Sequence, residues 1–275
     1  MSRNGNFSTL PQIVSSALHT MNSEDVSVSA LEKIIERDPA IASKVLRTAN
    51  SSFYGCKDIP TLGRAMSVLG LNTVRSLIVS VTFQQMSSEQ GQCPSFDRFA
   101  SWRHSIAVAI GAKMIAKMKM PMKAEELYSA GILHDVGLLV FDRFAGQELD
   151  HAIKHAFNKN IPLVEAEQEV MGCNHCEIGA KVGEKWGLPD RMTRAMAYHV
   201  CPGKDDTCFD TTCIIALAEG LATQFGFPNN SPEGAYKIDP SVEQRLAVTE
   251  QEMILIGRIM HEEVKRAQES FQLAA

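Results

Sequence analysis

An adjacent histidine and aspartate interrupt an apolar stretch near the middle of the chain. His134 and Asp135 stand in Gly131-Ile-Leu-His-Asp-Val-Gly137, and apolar residues continue to Phe141. Burying the two side chains without partners would be costly. An imidazole nitrogen and a carboxylate oxygen together suit a divalent Mn, Fe, Ni, Zn or Mg ion. The doublet is therefore a candidate ligand pair, although hydrogen bonds within the core would compensate the same cost.

Three further histidines lie where the helices of a bundle could bring them to one site. His104 falls within a long predicted helix, His175 stands at the start of another, and His199 follows a predicted turn at Tyr198. Side chains on facing helices build metal sites in this way. Four other histidines lie on polar helix faces and are predicted to contact solvent, namely His19, His151, His155 and His261.

Cys173 and Cys176 form a CxxC pair, a pattern that can hold zinc or cycle between dithiol and disulfide. A zinc site of this type needs a second pair of similar spacing, which the scattered remaining cysteines do not supply. The pair is therefore interpreted as two small residues at a helix start. Cys208, in a polar loop, is the expected exposed thiol. The odd total of seven cysteines argues against a secreted disulfide framework and predicts reduced thiols.

The composition is that of an ordinary globular protein and restricts the class of partner. The 275 residues, 45% of them hydrophobic, 21% charged and 7% aromatic, are enough for a sizeable core. A formal net charge of -5 and the lack of a basic stripe with interleaved aromatic residues argue against a nucleic-acid partner. No signal peptide and no run of about 18 apolar residues is recognised, which predicts a cytoplasmic protein without a membrane segment.

Apolar residues recur at spacings of three and four, which predicts an all-α chain, and no segment alternates like a strand. Ser27, Asp38-Pro39 and Thr61 are predicted to start helices, and Gly70 to end one. Asn72 is predicted to cap a helix over 74–83. Other helices are predicted at 11–21, 102–118, 123–140, 145–158, 162–171 and 176–186, loops at 202–212 and 226–240, and a capping box at 249–252.

A polar stretch that contains a glycine and a proline, residues 86–95, divides the chain in two. We predict an N-terminal helical subdomain over 1–90 that packs on a second helical subdomain over 91–275. No receiver, cyclase or sensor segment is recognised before residue 10 or after residue 275. An input signal is therefore expected from a separate chain or a small ligand.

Two other groups of residues could bind a partner or a ligand. The methionine-rich stretch 113–123 could be an adaptable partner-binding face, or it could fill the core while its lysines reach solvent. Asn50, Ser51 and Tyr54 could line a ligand groove between the subdomains. The same three residues could instead form a polar network that fixes the loop over 51–61.

An ordered series of motifs over residues 10–215 resembles the HDOD (HD-related output domain) family. The motifs are Leu10-Pro11, Arg37-Asp38-Pro39-Ala40, Leu46-Arg47-Thr48-Ala49-Asn50-Ser51, Phe53-Tyr54-Gly55, Ala65-Met66-Ser67-Val68-Leu69-Gly70, Trp102-Arg103-His104-Ser105, Ala130-Gly131-Ile132-Leu133-His134-Asp135-Val136-Gly137, His175-Cys176-Glu177-Ile178-Gly179-Ala180 and Trp186-Gly187-Leu188-Pro189. The resemblance implies a multi-helix bundle related to HD phosphohydrolases, which activate water on one or two metal ions. The metal ligands that it implies are His104, His134, Asp135, His175, His199 and Glu219.

The chain departs from the catalytic pattern of those enzymes at two positions. Val200 follows His199 where the pattern has a second histidine, and this removes one ligand of a second metal. The late acid is Glu219 where the enzymes carry aspartate, so its oxygens are displaced by about one C–C bond length. No Gly-Tyr-Pro run follows His199, which argues against the related cyclic-dinucleotide phosphodiesterases. One divalent ion at most is therefore expected.

These features together predict a bacterial-type cytoplasmic signalling module that binds other signalling proteins. In this interpretation the metal site is a remnant that no longer turns over phosphate esters. The alternative is a metal-dependent phosphohydrolase that acts on a nucleotide or cyclic nucleotide through a single ion.

Overall fold

A computed structural model describes residues 16, 17, 20, 28–50, 58–88, 91–232, 234, 235 and 237–272. All regular secondary structure in this part of the chain is helical, as the sequence predicts. The α-helices are α1 (Val28–Ile35), α2 (Pro39–Ala49), α3 (Leu62–Leu69), α4 (Leu71–Ser88), α5 (Arg98–Lys119), α6 (Ala124–Leu133), α7 (Val136–Phe144), α8 (Gly146–Lys159), α9 (Leu163–Met171), α10 (His175–Lys185), α11 (Asp190–Tyr198), α12 (Phe209–Gln224), α13 (Pro240–Leu246) and α14 (Glu250–Gln272). Short 3-10 turns at Pro121–Lys123 and Pro202–Lys204 precede α6 and α12.

The helix predicted over 11–21 lies mostly outside the described residues. Three of its residues, Ser16, Ala17 and Thr20, are described and are helical. The predicted cap at Ser27 also lies outside them, although α1 begins at the next residue.

Several helix ends lie where the capping residues predict them. The side chain of Asp38 caps α2 by accepting hydrogen bonds from the N–H groups of Ala40 and Ile41. Thr61 caps α3, which ends at Gly70 with φ 76°, a conformation that favours glycine. At α14 the capping box is reciprocal, because the Thr249 N–H donates to the Glu252 carboxylate and the Glu252 N–H donates to the Thr249 hydroxyl. Each cap supplies a hydrogen-bond partner to backbone N–H groups that have none within the helix.

The start and end predicted for α4 are wrong. The helix begins at Leu71, so Asn72 lies within its first turn rather than at the cap. The physical reason is that the Gly70 carbonyl already accepts a hydrogen bond from the N–H of Val74. The helix also continues to Ser88 and includes the first residues of the polar stretch assigned to the connection.

The single helix predicted over 123–140 is in fact two helices. α6 ends at Leu133 and α7 begins at Val136, so His134 and Asp135 occupy the turn between them. Apolar residues continue on both sides of the doublet because both helices are buried there. Apart from the doublet itself, the hydrophobic pattern therefore gives no sign that the helix ends there.

Two glycines allow other helices to approach this turn closely. A Cβ atom on Gly137 would lie 2.0 Å from the carbonyl oxygen of His175, the first residue of α10. A Cβ atom on Gly131 would lie 2.6 Å from the Cα of Ala109 on α5. The glycine on each side of the His134-Asp135 doublet thus brings a different helix against it.

The bundle centre contains α5 and α12. α12 begins at Phe209, so the loop predicted over 202–212 is shorter than expected, and every residue from 211 to 222 is buried. A helix that is buried on all sides belongs to the core. Glu219 is the charged residue within that buried stretch, and its burial requires partners.

The N-terminal helices join this core through α4. The Ser76 hydroxyl donates to the carbonyl of Glu125 on α6 at 2.9 Å and lies 3.1 Å from the Ser129 hydroxyl. The subdomain boundary predicted near residue 90 lies in the connection between α4 and α5.

None of the described helices is by itself long and apolar enough to cross a membrane. The pair Leu62–Leu69 and Leu71–Ser88, bent by 110°, meets that criterion together by length and composition only.

Gly137→Ala is expected to lower the free energy of unfolding by about 1–3 kcal/mol, because the new methyl group meets backbone atoms that cannot move independently. Gly203→Ala is the matched control, since a Cβ atom there meets nothing within 4 Å. Urea denaturation of both variants checks this expectation. Equal stability of the two variants would show that the contact at Gly137 does not constrain the packing.

Candidate metal centre

Four of the predicted ligands converge on one buried point. His104 comes from α5, His134 and Asp135 come from the turn between α6 and α7, and Glu219 comes from α12. The potential ligand atoms of these four side chains all lie within 4.8 Å of one another. The Nε2 atom of His104 lies 2.7 Å from Oε2 of Glu219 and 3.3 Å from Nε2 of His134.

Asp135 connects this group to the two remaining predicted ligands. Its Oδ2 lies 3.2 Å from Nε2 of His134. Its Oδ1 lies 3.2 Å from Nε2 of His175, which begins α10, and 3.3 Å from Nε2 of His199, which follows α11. The structure therefore places all six residues in one cluster, with one oxygen of Asp135 turned to each pair of histidines.

Each of the four imidazoles is held at Nδ1 by a hydrogen-bond acceptor outside the cluster. The acceptors are the Phe227 carbonyl for His104 at 2.6 Å, the Gly131 carbonyl for His134 at 2.7 Å, the Glu167 carboxylate for His175 at 2.6 Å and the Met196 carbonyl for His199 at 3.0 Å. These oxygens can only accept, which assigns the proton to Nδ1 and leaves the Nε2 lone pair of each neutral ring facing inward. Metal-binding histidines are oriented in the same manner.

The inward faces of these side chains require positive charge between them. The Nε2 atoms of His104 and His134 lie 2.7 and 3.1 Å from the Glu219 carboxylate. The buried Oδ1 of Asp135 has no hydrogen-bond partner. A divalent cation would satisfy these nitrogen and oxygen donors together, so the residues fit such an ion. Protons on the imidazoles are the other source of positive charge.

The pKa values follow from this arrangement. Burial disfavours a charge on His134, but the carboxylates of Asp135 and Glu219 outweigh it and raise its pKa to about 9. Burial likewise opposes ionisation of Asp135, yet His134 and His175 hold its pKa well below the usual range. The pKa of Glu219 is lowered in the same way, against burial, by His104. Without a metal ion, the carboxylates of Asp135 and Glu219 therefore favour the protonated form of His134.

Two polar residues of the cluster carry no recognisable signal in the sequence. Glu167 on α9 is fully buried and accepts hydrogen bonds from both the backbone N–H and Nδ1 of His175. Asn229 lies in the loop predicted over 226–240, and its side-chain amide donates to Oδ2 of Asp135. Neither position is marked by an apolar pattern or a motif, because each is defined only by packing between distant segments.

Cys176 lies beside the half of the cluster that contains His175 and His199. Its Sγ is 3.8 Å from Nε2 of His199. Burial raises a thiol pKa, but the two histidines lower that of Cys176 to about 7. Cys173 is half-buried, and every cysteine of the described part is a free thiol, so the CxxC pair forms no disulfide. Cys208, predicted to be exposed, is also half-buried and directly precedes α12.

A cavity of about 40 Å³ adjoins the cluster. Its lining includes Val200 and, from a later loop, Pro228, Asn229, Ser231 and Pro232. At roughly 15 Å³ per molecule the space holds two or three waters. Among the described residues that line it there is no lysine and no arginine.

Asn50 lies far from the cluster along the chain. Its side chain connects the end of α2 to the segment that follows. Its amide donates to the carbonyls of Leu46 and Ile59, and its oxygen accepts from the Ile59 N–H at 2.7 Å. It also borders a cavity of about 500 Å³ with Asp58, Ile59 and Pro60. The other two residues of the predicted groove, Ser51 and Tyr54, lie outside the described residues.

Most of the chain has recognisable relatives. A family model described as HDOD domain matches residues 7–202. An uncharacterized protein of Treponema pallidum (strain Nichols) is 25% identical over 198 residues, which are 69% of this chain and 37% of that protein. The match thus spans little more than a third of that relative's length.

Three solved structures share the fold. An HDOD domain protein of unknown function from Geobacter sulfurreducens has a TM-score of 0.71 at 23% identity, covering 97% of this chain and 91% of that one. A candidate phosphohydrolase from Shewanella amazonensis SB2B has a TM-score of 0.65 at 23% identity, covering 92% and 94%. A candidate signal transduction protein from Marinobacter aquaeolei VT8 has a TM-score of 0.72 at 22% identity, covering 97% and 58%.

Metal affinity is expected to rise with pH, because the ion must displace the proton that His134 carries below its pKa of about 9. With one proton released, the dissociation constant should fall about tenfold per pH unit between pH 6.5 and 8.5. Calorimetric titration of the chelator-treated protein with micromolar Ni²⁺ measures this slope.

His134→Ala should remove the binding at every pH, whereas His151→Ala, an exposed histidine on α8, should behave as the wild type. Full binding by the His134 variant, or an affinity independent of pH in the wild type, would place the ligands elsewhere.

Proposed function

The chain belongs to the HDOD domain family, and from this premise we propose that it is a cytoplasmic signalling module that acts by binding other proteins. Its Asp135-centred cluster holds a divalent cation that stabilises the bundle without turning over phosphate esters. The observation that carries the proposal is the closure of the cluster beneath Asn229 and the small cavity beside it.

The space beside the cluster is too small for a nucleotide. Pockets that bind small molecules usually measure roughly 300–1,000 Å³, whereas this cavity measures about 40 Å³. Furthermore, the Asn229 amide already donates a hydrogen bond to one oxygen of Asp135. A phosphate ester would have to displace the segment that carries Asn229 before it could reach an ion.

The lining also offers little to a phosphate group. Phosphoryl oxygens are commonly neutralised by lysine, arginine or metal ions, and the described residues around the cavity include neither lysine nor arginine. Val200 borders the cavity with an alkyl side chain that cannot act as a ligand. These features favour a site that holds a cation over a site that hydrolyses phosphate esters.

A bound cation would neutralise Asp135 and Glu219 and, as a Lewis acid, would also activate water if any reached it. His104, His134, Asp135 and Glu219 are the residues that would hold it. Because they come from α5, the α6–α7 turn and α12, they would tie three parts of the core together. Such binding energy adds directly to folding stability.

The methionine-rich corner between α5 and α6 is the surface that we propose for partner contact. Met118 and Met122 are 42% and 89% exposed, whereas Met114 and Met120 pack against the core. Part of the stretch therefore fills the core, and part of it is exposed. Exposed methionines adapt to varied surfaces, which suits recognition of another protein.

One observation favours the phosphohydrolase alternative. The two oxygens of Asp135 face two separate sets of histidines, and a carboxylate placed in this way can hold two ions that clamp a phosphate ester. The relative from Shewanella amazonensis is described as a candidate phosphohydrolase, while the one from Marinobacter aquaeolei is described as a candidate signal transduction protein. Activity would require the segment over 228–232 to open.

Purified protein loaded with Mn²⁺, Fe²⁺, Ni²⁺ or Mg²⁺ is expected to show negligible hydrolysis of nucleotides, cyclic nucleotides and cyclic dinucleotides. Chromatographic analysis of products after prolonged incubation measures this, with metal content determined on the same samples. Turnover of a natural nucleotide that disappears in Asp135→Ala would instead establish the enzyme.

A photo-crosslinking amino acid placed at Met122 should capture a protein of discrete mass in cells of the source organism. The same group at the exposed His151 on α8 is the control and should capture none. The adduct should weaken when Met118→Ser is added to the same chain. Identical adducts at both positions, or none at position 122, would contradict this corner as the partner-binding surface.

A further inference from the structure

We propose that Asn230 latches the segment over 228–232 across the cluster and thereby sets the rate at which a cation enters and leaves it. This segment is called the strap below. The inference rests on the cation of the proposed function and adds a device that controls its exchange. Asn230 is a positioning residue, because it acts on the cluster through its neighbour Asn229.

The strap forms part of the wall around deeply buried ligands. His104 and His134 are fully buried, and the exposed fractions of Asp135 and Glu219 are 4% and 9%. An ion can pass only if part of this wall moves. Four strap residues line the cavity of about 40 Å³, and its other lining residues belong to helices or directly adjoin them. The strap lies between α12 and α13, so it can move without breaking a helix.

Little apolar surface holds the strap in place. Pro228 is exposed, Asn230 and Ser231 are half-buried, and Pro232 is the buried apolar residue of the segment. A segment that buries so little apolar surface depends on its polar contacts to stay closed. Asn229 is buried, and its side-chain amide donates to the cluster itself.

Asn230 attaches the strap to the residue that caps α5. Its Oδ1 accepts a hydrogen bond from the N–H of Asp97 at 3.0 Å, and its amide donates to the Asp97 carbonyl at 3.4 Å. The same amide donates to Oδ1 of Asn229 at 3.0 Å. Asp97 is itself fixed, because its carboxylate accepts from the N–H of Ala100 in the first turn of α5. Loss of the Asn230 side chain would therefore release the strap from α5 and remove the support behind Asn229.

Phe227 fixes the chain at the point where the strap begins. Its side chain is buried, and its ring centroid lies 4.8 Å from that of His261 on α14. Its carbonyl accepts from Nδ1 of His104 at 2.6 Å. The strap therefore opens by a swing of 228–232 beyond a fixed Phe227.

The backbone at Asn230 allows a clean test of the side chain. Its φ of 49° is left-handed, a conformation that asparagine tolerates and glycine adopts freely. Asn230→Gly thus keeps the backbone conformation and removes the latch. Asn160 provides the matched control, because it is exposed, has a φ of 53° and ends α8.

Exchange kinetics of a bound ion test the latch. The full chain of the wild type, Asn230→Gly and Asn160→Gly is loaded with Ni²⁺, and release into excess EDTA is followed by metal content after rapid desalting. Uptake of Ni²⁺ by the chelator-treated proteins is measured by stopped-flow spectroscopy, and calorimetry gives the Kd.

Asn230→Gly should release and take up Ni²⁺ about tenfold faster than the wild type, because the hydrogen bonds that it loses favour the closed strap by about that factor. Since both rates rise together, the Kd should change by less than about threefold. Asn160→Gly should exchange its ion as the wild type does. If Asn230→Gly does not fold, Asn230→Asp keeps the acceptor for the Asp97 N–H, removes both donors and should accelerate both rates to a smaller extent.

The outcomes distinguish the latch from the cation of the proposed function. Unchanged release and uptake in Asn230→Gly would overturn the latch and leave the cation in place. Faster release with unchanged uptake would also overturn it, because Asn230 would then support binding rather than control exchange. Equally faster exchange in Asn160→Gly would reject the assignment to the strap. A wild type that binds no Ni²⁺ would overturn both proposals.

Discussion

A carboxylate buried among four imidazoles is the interaction on which the rest of this site depends. Asp135 faces His104 and His134 with one oxygen and His175 and His199 with the other. An uncompensated charge at such depth would cost several kcal/mol, so helices from distant parts of the chain must meet there. The flanking glycines, Gly131 and Gly137, allow two of these helices to approach, and acceptors at each Nδ1 fix the rings.

The same constraint connects the fold to the function. A cluster that needs positive charge at its centre gains stability when a cation binds, whether or not chemistry follows. Here Asn229 contacts Asp135 directly, and the cavity beside it holds only a few waters. A centre built in this way is suited to hold the bundle in one shape, which the proposed signalling role would require. Met118 and Met122, on the partner-binding surface that we propose, are both exposed.

The fold could be predicted from local signals, and the cluster only in part. Caps such as Asp38 and Thr61 act within one turn, so the sequence contains all the information that they need. The residue types and predicted helices marked five of the six ligand candidates, but only the resemblance to a family added Glu219 and joined all six in one ligand set, because most of them are distant in the chain. Glu167 and Asn229 were not predictable, since only tertiary packing gives them partners. The helix break at His134 and Asp135 was not predicted, because apolar residues continue on both sides of it.

Anomalous diffraction from crystals of protein purified without a chelating tag tests the central claim most directly. Data on both sides of the absorption edges of Mn, Fe, Ni and Zn locate and identify a bound ion. The account predicts an anomalous peak bounded by His104, His134, Asp135 and Glu219. An absence of any such peak, with His104 and His134 in direct hydrogen bonds to Glu219, would show that protons supply the positive charge and would contradict the account.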